Sequence, residues 1–398
     1  MHESAMNTSR SRQRSGSMNL HIYPSVFRFE SRILKETRSI SAGTAFERVV
    51  VAAVAGEGLP AIELLDDKRQ VWRLRRSAWP GLLGKAAAHS AWMWRVFQKT
   101  RHEQVGVINC HSLSVAPLAL LLKFWLGAKL IYDTHELETE TMGMRGLRRI
   151  GAKLLERLFI RFVDEVVVVS DSIAQWYKDT YRLDRVHLVR NVPYRDPLPP
   201  TSENILRSRL AIDDSTMLFL YQGVLAPGRG ISTLIEAFVS APPNCCLVLL
   251  GYGPSEDLAR KAASQFPNIH FHSAVSPDQL PGLTRCADVG ICMIEDSCLS
   301  YRYCLPNKLF EYVMNGVPVL VSRLPDLTTF VEYHACGWNL PLDSHAISEW
   351  LANISPEDVQ MKATQAHRCR ETLGWQDEEQ VLLSLFSNQG RRCPKSAA

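Results

Sequence analysis

The densest concentration of usable chemistry lies in SYRYCLPNKLFEYVMNGVPVL, residues 300–320. Pro306 closes an irregular loop, and Asn307 is placed to cap the helix that follows. Lys308 and Glu311, three residues apart, share one helix face near its N-terminus. Free backbone N–H groups at such a terminus attract anions. Lys308 adds a positive charge there, and Glu311 offers two acceptor oxygens suited to a pair of ribose hydroxyls. Asn315-Gly316 ends the helix with a left-handed cap. The same spacing also describes an ordinary capped helix carrying a Lys–Glu pair.

A second segment, YQGVLAPGRGISTLIEAF (221–238), runs from a strand ending at Gly223 through a glycine turn (Gly228, Gly230) into a helix. Glycines let backbone approach a phosphate closely, and Arg229 can grip one with two parallel hydrogen bonds. LLGYGP (249–254) is another strand-end turn, containing Gly251 and Gly253. In KLIYDTHE (129–136), His135 reads as an active-site histidine at a strand end, with capping as the alternative. Asp133-x-His135 also offers two metal ligands. No Asp-x-Asp occurs in the chain, so carboxylates for metal-assisted diphosphate binding are lacking and metal-independent chemistry is expected. His111 reads as a polar loop residue and Asn191 as a structural hinge position.

These residues need a scaffold, and the chain alternates short β-branched runs with longer helical patterns. In the first half, strands are expected at His21–Val26, Arg48–Val54, Val71–Leu74, Val105–Cys110, Lys129–Tyr132, Glu165–Val169 and Val186–Val189. Helices are expected at Ser31–Ala42, Ser90–Lys99, Ala116–Leu126, Arg145–Phe162 and Ile173–Tyr181. The connector VPYRDPLPPTSEN (192–204) is proline-rich and stiff. The alternation then restarts, with strands at Met217–Gln222, Cys245–Leu250, Ile269–His272, Val289–Ile294 and Val319–Val321. Its helices are expected at Ser232–Val239, Ser255–Gln265, Pro277–Arg285, Lys308–Asn315 and Asp377–Phe386. Such alternation gives parallel sheets covered by helices on both faces, with ligands beyond the carboxyl ends of the strands. The expected organisation is a disordered tail (1–18), a Rossmann-like domain (19–193), a linker (194–213), a second Rossmann-like domain (214–375), a last helix (376–390) and a tail (391–398). Two such halves would leave a cleft between them.

Composition excludes several classes. The 398 residues include 46% hydrophobic and 22% charged, enough apolar surface for two soluble cores. A formal net charge of +4 is too mild to imply nucleic acid. Ten cysteines, none in a CxxC pair, read as thiols of a reducing compartment. No run of about 18 apolar residues suggests a membrane span, and the N-terminus lacks the apolar core of a secretory signal. Residues 142–162 place Arg145, Arg148, Arg149, Lys153, Arg157 and Arg161 on one helix with Leu, Ile and Phe opposite. That is either a solvated face of a core helix or a contact with anionic lipid. Trp79, Trp92 and Trp94 would suit an interfacial patch or a core.

Together, the order G-x5-(R/K)-G (Gly223, Arg229, Gly230), then GxGP, then PNKLFEYxxxGxPVL resembles the large retaining glycosyltransferase family 4. RILKETRSI, KLIYDTHE, VVVVSDSI, VRNVP and the closing GWQDEEQVLLSLF fit the same pattern, so the resemblance spans nearly the whole chain. It implies a GT-B fold, two Rossmann-like domains facing a cleft, with the last helix crossing back to the first domain.

The resemblance also implies roles. Glu311 matches the second glutamate of the family's E-x7-E and should bind the donor ribose. Arg229 matches its diphosphate-gripping lysine, and Lys308 adds a second charge. His135 matches the histidine facing the transferred sugar. Gly223, Gly251 and Gly253 should line the nucleotide pocket, with the backbone around Val275 near the base, and Tyr303, Pro306 and Asn307 on the donor side. Two positions depart from the pattern. The first motif glutamate is Tyr303, leaving Glu295-Asp296 as a candidate substitute, and the arginine often following the first glycine is Val224. The expected reaction moves a sugar from a nucleoside-diphosphate sugar to an acceptor hydroxyl with retention, without a cofactor, on a glycan or lipid-linked acceptor at the inner face of the cytoplasmic membrane. The rivals are a nucleotide-sugar 2-epimerase and an inactive nucleotide-sugar-binding partner protein.

Overall fold

The computed structural model describes residues 18–195 and 204–387. Residues 1–17 and 391–398 of the expected tails, residues 196–203 of the connector and the end of the last helix lie outside the described residues, whereas Met18, expected in the first tail, is a buried strand residue. Two compact units emerge, one holding residues 18–133 with Leu158–Glu165, the other Thr134–Arg157 with the described residues from Val166 onward.

The first sheet contains β1 (Met18–Ile22), β2 (Arg48–Val54), β3 (Ile62–Leu64), β4 (Arg69–Leu74), β5 (Val105–Cys110), β6 (Lys129–Asp133), β7 (Glu165–Val168) and β8 (Val186–Leu188), ordered β3-β4-β2-β1-β5-β6-β7-β8. Only β3 is antiparallel among the strand pairs of the first unit. β1 starts three residues before the expected His21 and ends at Ile22, ahead of Pro24, whose ring removes a ladder donor. Around the first sheet run α1 (Ser31–Gly43), α2 (Gly81–Thr100), α3 (Ala116–Leu126), α4 (Gly146–Phe159) and α5 (Asp171–Tyr181). α2 begins nine residues before the expected Ser90, with Pro80 in extended conformation as its N-cap.

The second sheet contains β9 (Met217–Val224), β10 (Cys245–Tyr252), β11 (Ile269–Ser273), β12 (Val289–Cys292), β13 (Val319–Ser322) and β14 (Gly337–Leu340), ordered β11-β10-β9-β12-β13-β14 and all parallel. Its side chains alternate between two cores. Leu218 and Leu220 with Val248 and Leu250 enter one; Phe219 and Tyr221 with Leu247 and Leu249 enter the other. Burial on both faces explains why these strands read as continuous apolar runs. The last helix, Trp375–Ser387, packs against β8, and Glu378 accepts from both the amide and Nε of Arg190 at 2.8 Å.

Candidate functional site

The tip of β9 is built by close backbone approach. Gly223 has φ +113°, and a Cβ on the paired Gly251 would fall inside the carbonyl oxygen of Gly223. A Cβ on Gly253 would likewise strike the Leu225 carbonyl. These glycines are therefore demanded by the fold itself, whatever binds beside them. The turn beyond β9 carries Arg229, and its guanidinium stacks 4.8 Å from the centroid of the Tyr301 ring. The Gly228 carbonyl accepts from the Glu295 amide at 3.0 Å, which ties the turn to the end of β12.

Helix Asn307–Met314 brings Lys308 and Glu311 to the same tip. The Lys308 ammonium lies 3.5 Å from the centroid of the Tyr221 ring. It is buried and has no hydrogen-bond acceptor among the described residues. Burial lowers its pKa to about 7, with Arg229 acting in the same direction and Cys292 and Glu311 opposing. A buried, unpaired ammonium is costly in isolation and is stabilised by an incoming anion. Glu311 is half-buried, and its Oε2 accepts from Gln222 Nε2 at 2.6 Å. Gln222 Oε1 accepts from Thr284 Oγ1 at 2.8 Å, and its amide donates to the Tyr312 hydroxyl at 2.9 Å. Gln222 thus orients Glu311, a role the sequence did not disclose because the partners lie more than sixty residues from it.

Two expectations about this helix need correction or refinement. Asn307 is not the cap: Pro306 occupies the N-cap, no side chain caps the helix, and Asn307 is exposed in its first turn. Proline's fixed φ suits the entry to a helix but supplies no side-chain acceptor. Asp296 is chelated by Arg302, with Nη2 to Oδ2 at 2.7 Å and Nε to Oδ1 at 2.9 Å, which holds its carboxyl below the usual range. Of the pair weighed as a substitute for the missing glutamate, Asp296 is thus already engaged, while Glu295 lies beside the glycine turn. Tyr303 is half-buried, and its carbonyl accepts from Ser170 Oγ at 2.6 Å. Val275 packs at the edge of one core of the second sheet.

His135 is half-buried in the segment after β6. The adjacent Glu136 accepts from Ser300 Oγ at 3.1 Å, one residue before the tyrosine on which Arg229 stacks. The second unit therefore gathers Arg229, Lys308 and Glu311 at the end of β9, and Glu136, next to His135, reaches the loop 295–306.

In the first unit, His111 lies in the loop just after β5, as expected, but is buried. Its Nε2 lies 2.7 Å from His21 Nδ1 and its Nδ1 lies 3.0 Å from Asp133 Oδ2. Arg32 grips Asp133 through Nη2 at 2.7 Å and Nε at 3.1 Å, and its Nε lies 3.0 Å from Glu36. Burial, then the neighbouring His111, depresses the His21 pKa; burial, then Asp133, raises that of Glu36. Asp133 is thus engaged within the first unit by Arg32 and His111. Pairs such as His21 and His111, ninety residues apart, leave no local signature. Among the tryptophans considered for an interfacial patch, Trp92 is buried and donates to the Ala53 carbonyl at 3.2 Å, whereas Trp79 and Trp94 are exposed.

Residues 46–192 match Glycosyltransferase Family 4 and residues 216–354 match Glycosyl transferases group 1, together the larger part of the chain. The chain is 22% identical over 342 residues to the chitobiosyldiphosphodolichol beta-mannosyltransferase of Kluyveromyces lactis, covering 77% of this chain and 75% of that one. Among solved structures it is similar to sucrose-phosphate synthase from Thermosynechococcus elongatus, with TM-score 0.78, 14% identity and coverage of 93% of this chain and 98% of that one. It is also similar to HepE of Anabaena in complex with UDP-glucose, with TM-score 0.72, 14% identity, and 93% and 99% coverage. With its two parallel-strand sheets and both family matches in order, the chain belongs to the GT-B glycosyltransferases of the family 4 type.

Proposed function

We propose that this glycosyltransferase takes its sugar from a nucleoside diphosphate held at the tip of β9 and delivers it to a hydroxyl of a glycan or lipid-linked acceptor. The observation that carries the reading is the buried Lys308 ammonium, which lacks an acceptor while facing the glycine tip and lying within electrostatic range of Arg229. Lys308 and Arg229 neutralise the diphosphate as the glycosidic bond breaks and negative charge grows on the leaving group. Glu311, oriented by Gln222, accepts from the ribose hydroxyls. His135 faces the transferred sugar and supports the oxocarbenium-like transition state. Gly223, Gly251 and Gly253 form the floor, and Val275, Tyr303, Pro306 and Asn307 the rim. No metal enters this scheme, because two cations occupy the role.

Retention follows from the family resemblance, with the donor phosphate taking the acceptor's proton. Work on a lipid-linked acceptor places the enzyme on the inner face of the cytoplasmic membrane, touching anionic lipid through residues 142–162. The structure of α4 favours that contact. Leu147, Ile150, Leu154 and Leu158 are exposed along one stripe. The opposite side buries Glu156, which accepts from the hydroxyls of Tyr177 at 2.6 Å and Tyr181 at 2.7 Å. The polar group faces inward and the apolar stripe outward, the reverse of an ordinary surface helix.

A panel of nucleotide sugars screened by thermal shift tests the donor assignment, since a bound donor raises apparent stability by mass action. One donor should stand out and support transfer, and the anomeric configuration of the product then decides retention. A panel without any shift removes the donor site from the β9 tip.

A further inference from the structure

In the first unit, α2 and α3 expose a second apolar surface. Leu83 and Trp94 lie eleven residues apart, three helical turns, and so share a stripe of α2. They are 86% and 55% exposed, and Leu82 beside them is 82% exposed. On α3, Leu121, Phe124 and Trp125 share a face at i, i+3 and i+4 and are also exposed. Ring contacts make the surface continuous. Trp94 stacks on Phe97 at 5.3 Å, and Phe97 meets Trp125 edge-on at 5.6 Å.

The charge around this surface is mainly basic, although Lys123 and Lys129 are paired with Asp164 and Glu165 from outside the span. Residues 75–129 contain eight lysines and arginines and one acidic residue, Glu103. Glu103 is held by Arg48 at 2.6 Å. Arg75, Arg76, Lys85 and Arg95 are exposed beside the apolar stripes. Exposed tryptophan, phenylalanine and leucine bordered by exposed basic side chains is the composition that settles at a headgroup boundary.

We propose that α2 and α3 form an interfacial docking face that inserts Leu82, Leu83, Trp94, Leu121, Phe124 and Trp125 into a bilayer rich in anionic phospholipid. The inference extends the membrane contact of residues 142–162 to a separate surface, and it rests on that reading for the choice of lipid as partner. The apolar side chains provide depth. The basic ring selects anionic headgroups, each charge contributing while it lies within a Debye length of the surface.

The test is co-sedimentation of the full chain with vesicles of mixed phosphatidylglycerol and phosphatidylcholine, and with phosphatidylcholine alone. Wild type should bind the mixed vesicles and bind phosphatidylcholine far more weakly. Phe124→Ser with Trp125→Ser should lower partitioning by roughly tenfold or more. Removing Arg75, Arg76 and Lys85 as glutamines should lower it by roughly fivefold per charge. Leu83→Ser, at a fully solvated helix start, provides a variant whose folding is not in question. Unchanged partitioning in the α3 pair and in Leu83→Ser would overturn the proposal. So would loss of binding only when Leu147 and Leu154 of α4 are changed. A concentration-dependent dimer abolished by the same α3 variants, with no vesicle binding, would instead assign the surface to a second copy of this chain and overturn it too. Donor thermal shifts measured without vesicles separate the two readings. A donor shift without vesicle binding sinks this inference together with the membrane contact of residues 142–162 and leaves the donor assignment standing, while vesicle binding without any donor shift sinks the donor assignment alone.

Discussion

Two polar clusters sit at the carboxyl ends of parallel strands and solve the same problem oppositely. In the first unit, His21, His111, Asp133, Arg32 and Glu36 are all buried and answer one another: carboxylate to guanidinium, imidazole to imidazole. In the second, the Lys308 ammonium is equally withdrawn from water but lies over the face of Tyr221 with no hydrogen-bond acceptor among the described residues. A closed network ties together the strand ends that carry it. An open one keeps a charge whose complement must arrive with a ligand. The contrast teaches that burial of ionisable groups alone does not mark a binding site; incomplete pairing does.

The contrast can be broken most sharply in the closed cluster. Asp133→Ala should cost about 3–5 kcal/mol of stability, because Arg32 and His111 lose the buried carboxylate they share; denaturant titration reads this directly. A variant of wild-type stability but without activity would mean the cluster does chemistry. In the open cluster the signs reverse. Lys308→Met should weaken nucleoside-diphosphate binding by about 10- to 100-fold, the worth of a charged hydrogen bond, while thermal stability holds or rises. Calorimetry that finds unchanged affinity would move the phosphates elsewhere.

A smaller effect sharpens the same point through pH. With its free pKa lowered to about 7, Lys308 is mostly charged below that value and mostly neutral above it. An anion binds the charged form, so affinity should be flat on the acid side. On the alkaline side it should fall, approaching tenfold per pH unit, until the raised pKa of the bound state is reached. Lys308→Arg, always charged, should abolish the slope; a slope that persists would trace it to another group. Smallest of all, Gln222→Ala should weaken nucleotide binding several-fold by releasing Glu311 from its 2.6 Å hydrogen bond. Equal affinities for ribo- and deoxyribonucleoside diphosphates in wild type would remove Glu311 from the ribose altogether.

Much of the scaffold was legible because its signals are local. The β-branched runs at Val105–Cys110 and Arg48–Val54, the helix Ala116–Leu126 and the glycine turn before Ile231 are found where periodicity and turn chemistry place them. β3 and β14 escaped notice because each is three or four residues long, too short for alternation to register. The start of α2 was hidden for a different reason. Leu82 and Leu83 are apolar but exposed, so a reading that assigns apolar residues to the core finds no helical stripe there. At the site, Lys308 and Glu311 were legible from their spacing on one helix. Gln222, Thr284 and the His21–His111 pair were not, because their partners are set by strand order rather than by neighbouring sequence. The orientation of α4 was legible in pattern but not in direction: periodicity separates two faces without saying which one meets water.

The meeting of Gly223 with Gly251 has a consequence for altering this enzyme. Because a methyl group at Gly251 would overlap the carbonyl oxygen opposite, this pairing point of the neighbouring strands accepts no side chain and so, with the donor held where proposed, offers no handle for selecting one nucleotide over another. On that proposal, an engineered change of donor preference has to be introduced from the surrounding segments, leaving this seam of bare main chain constant.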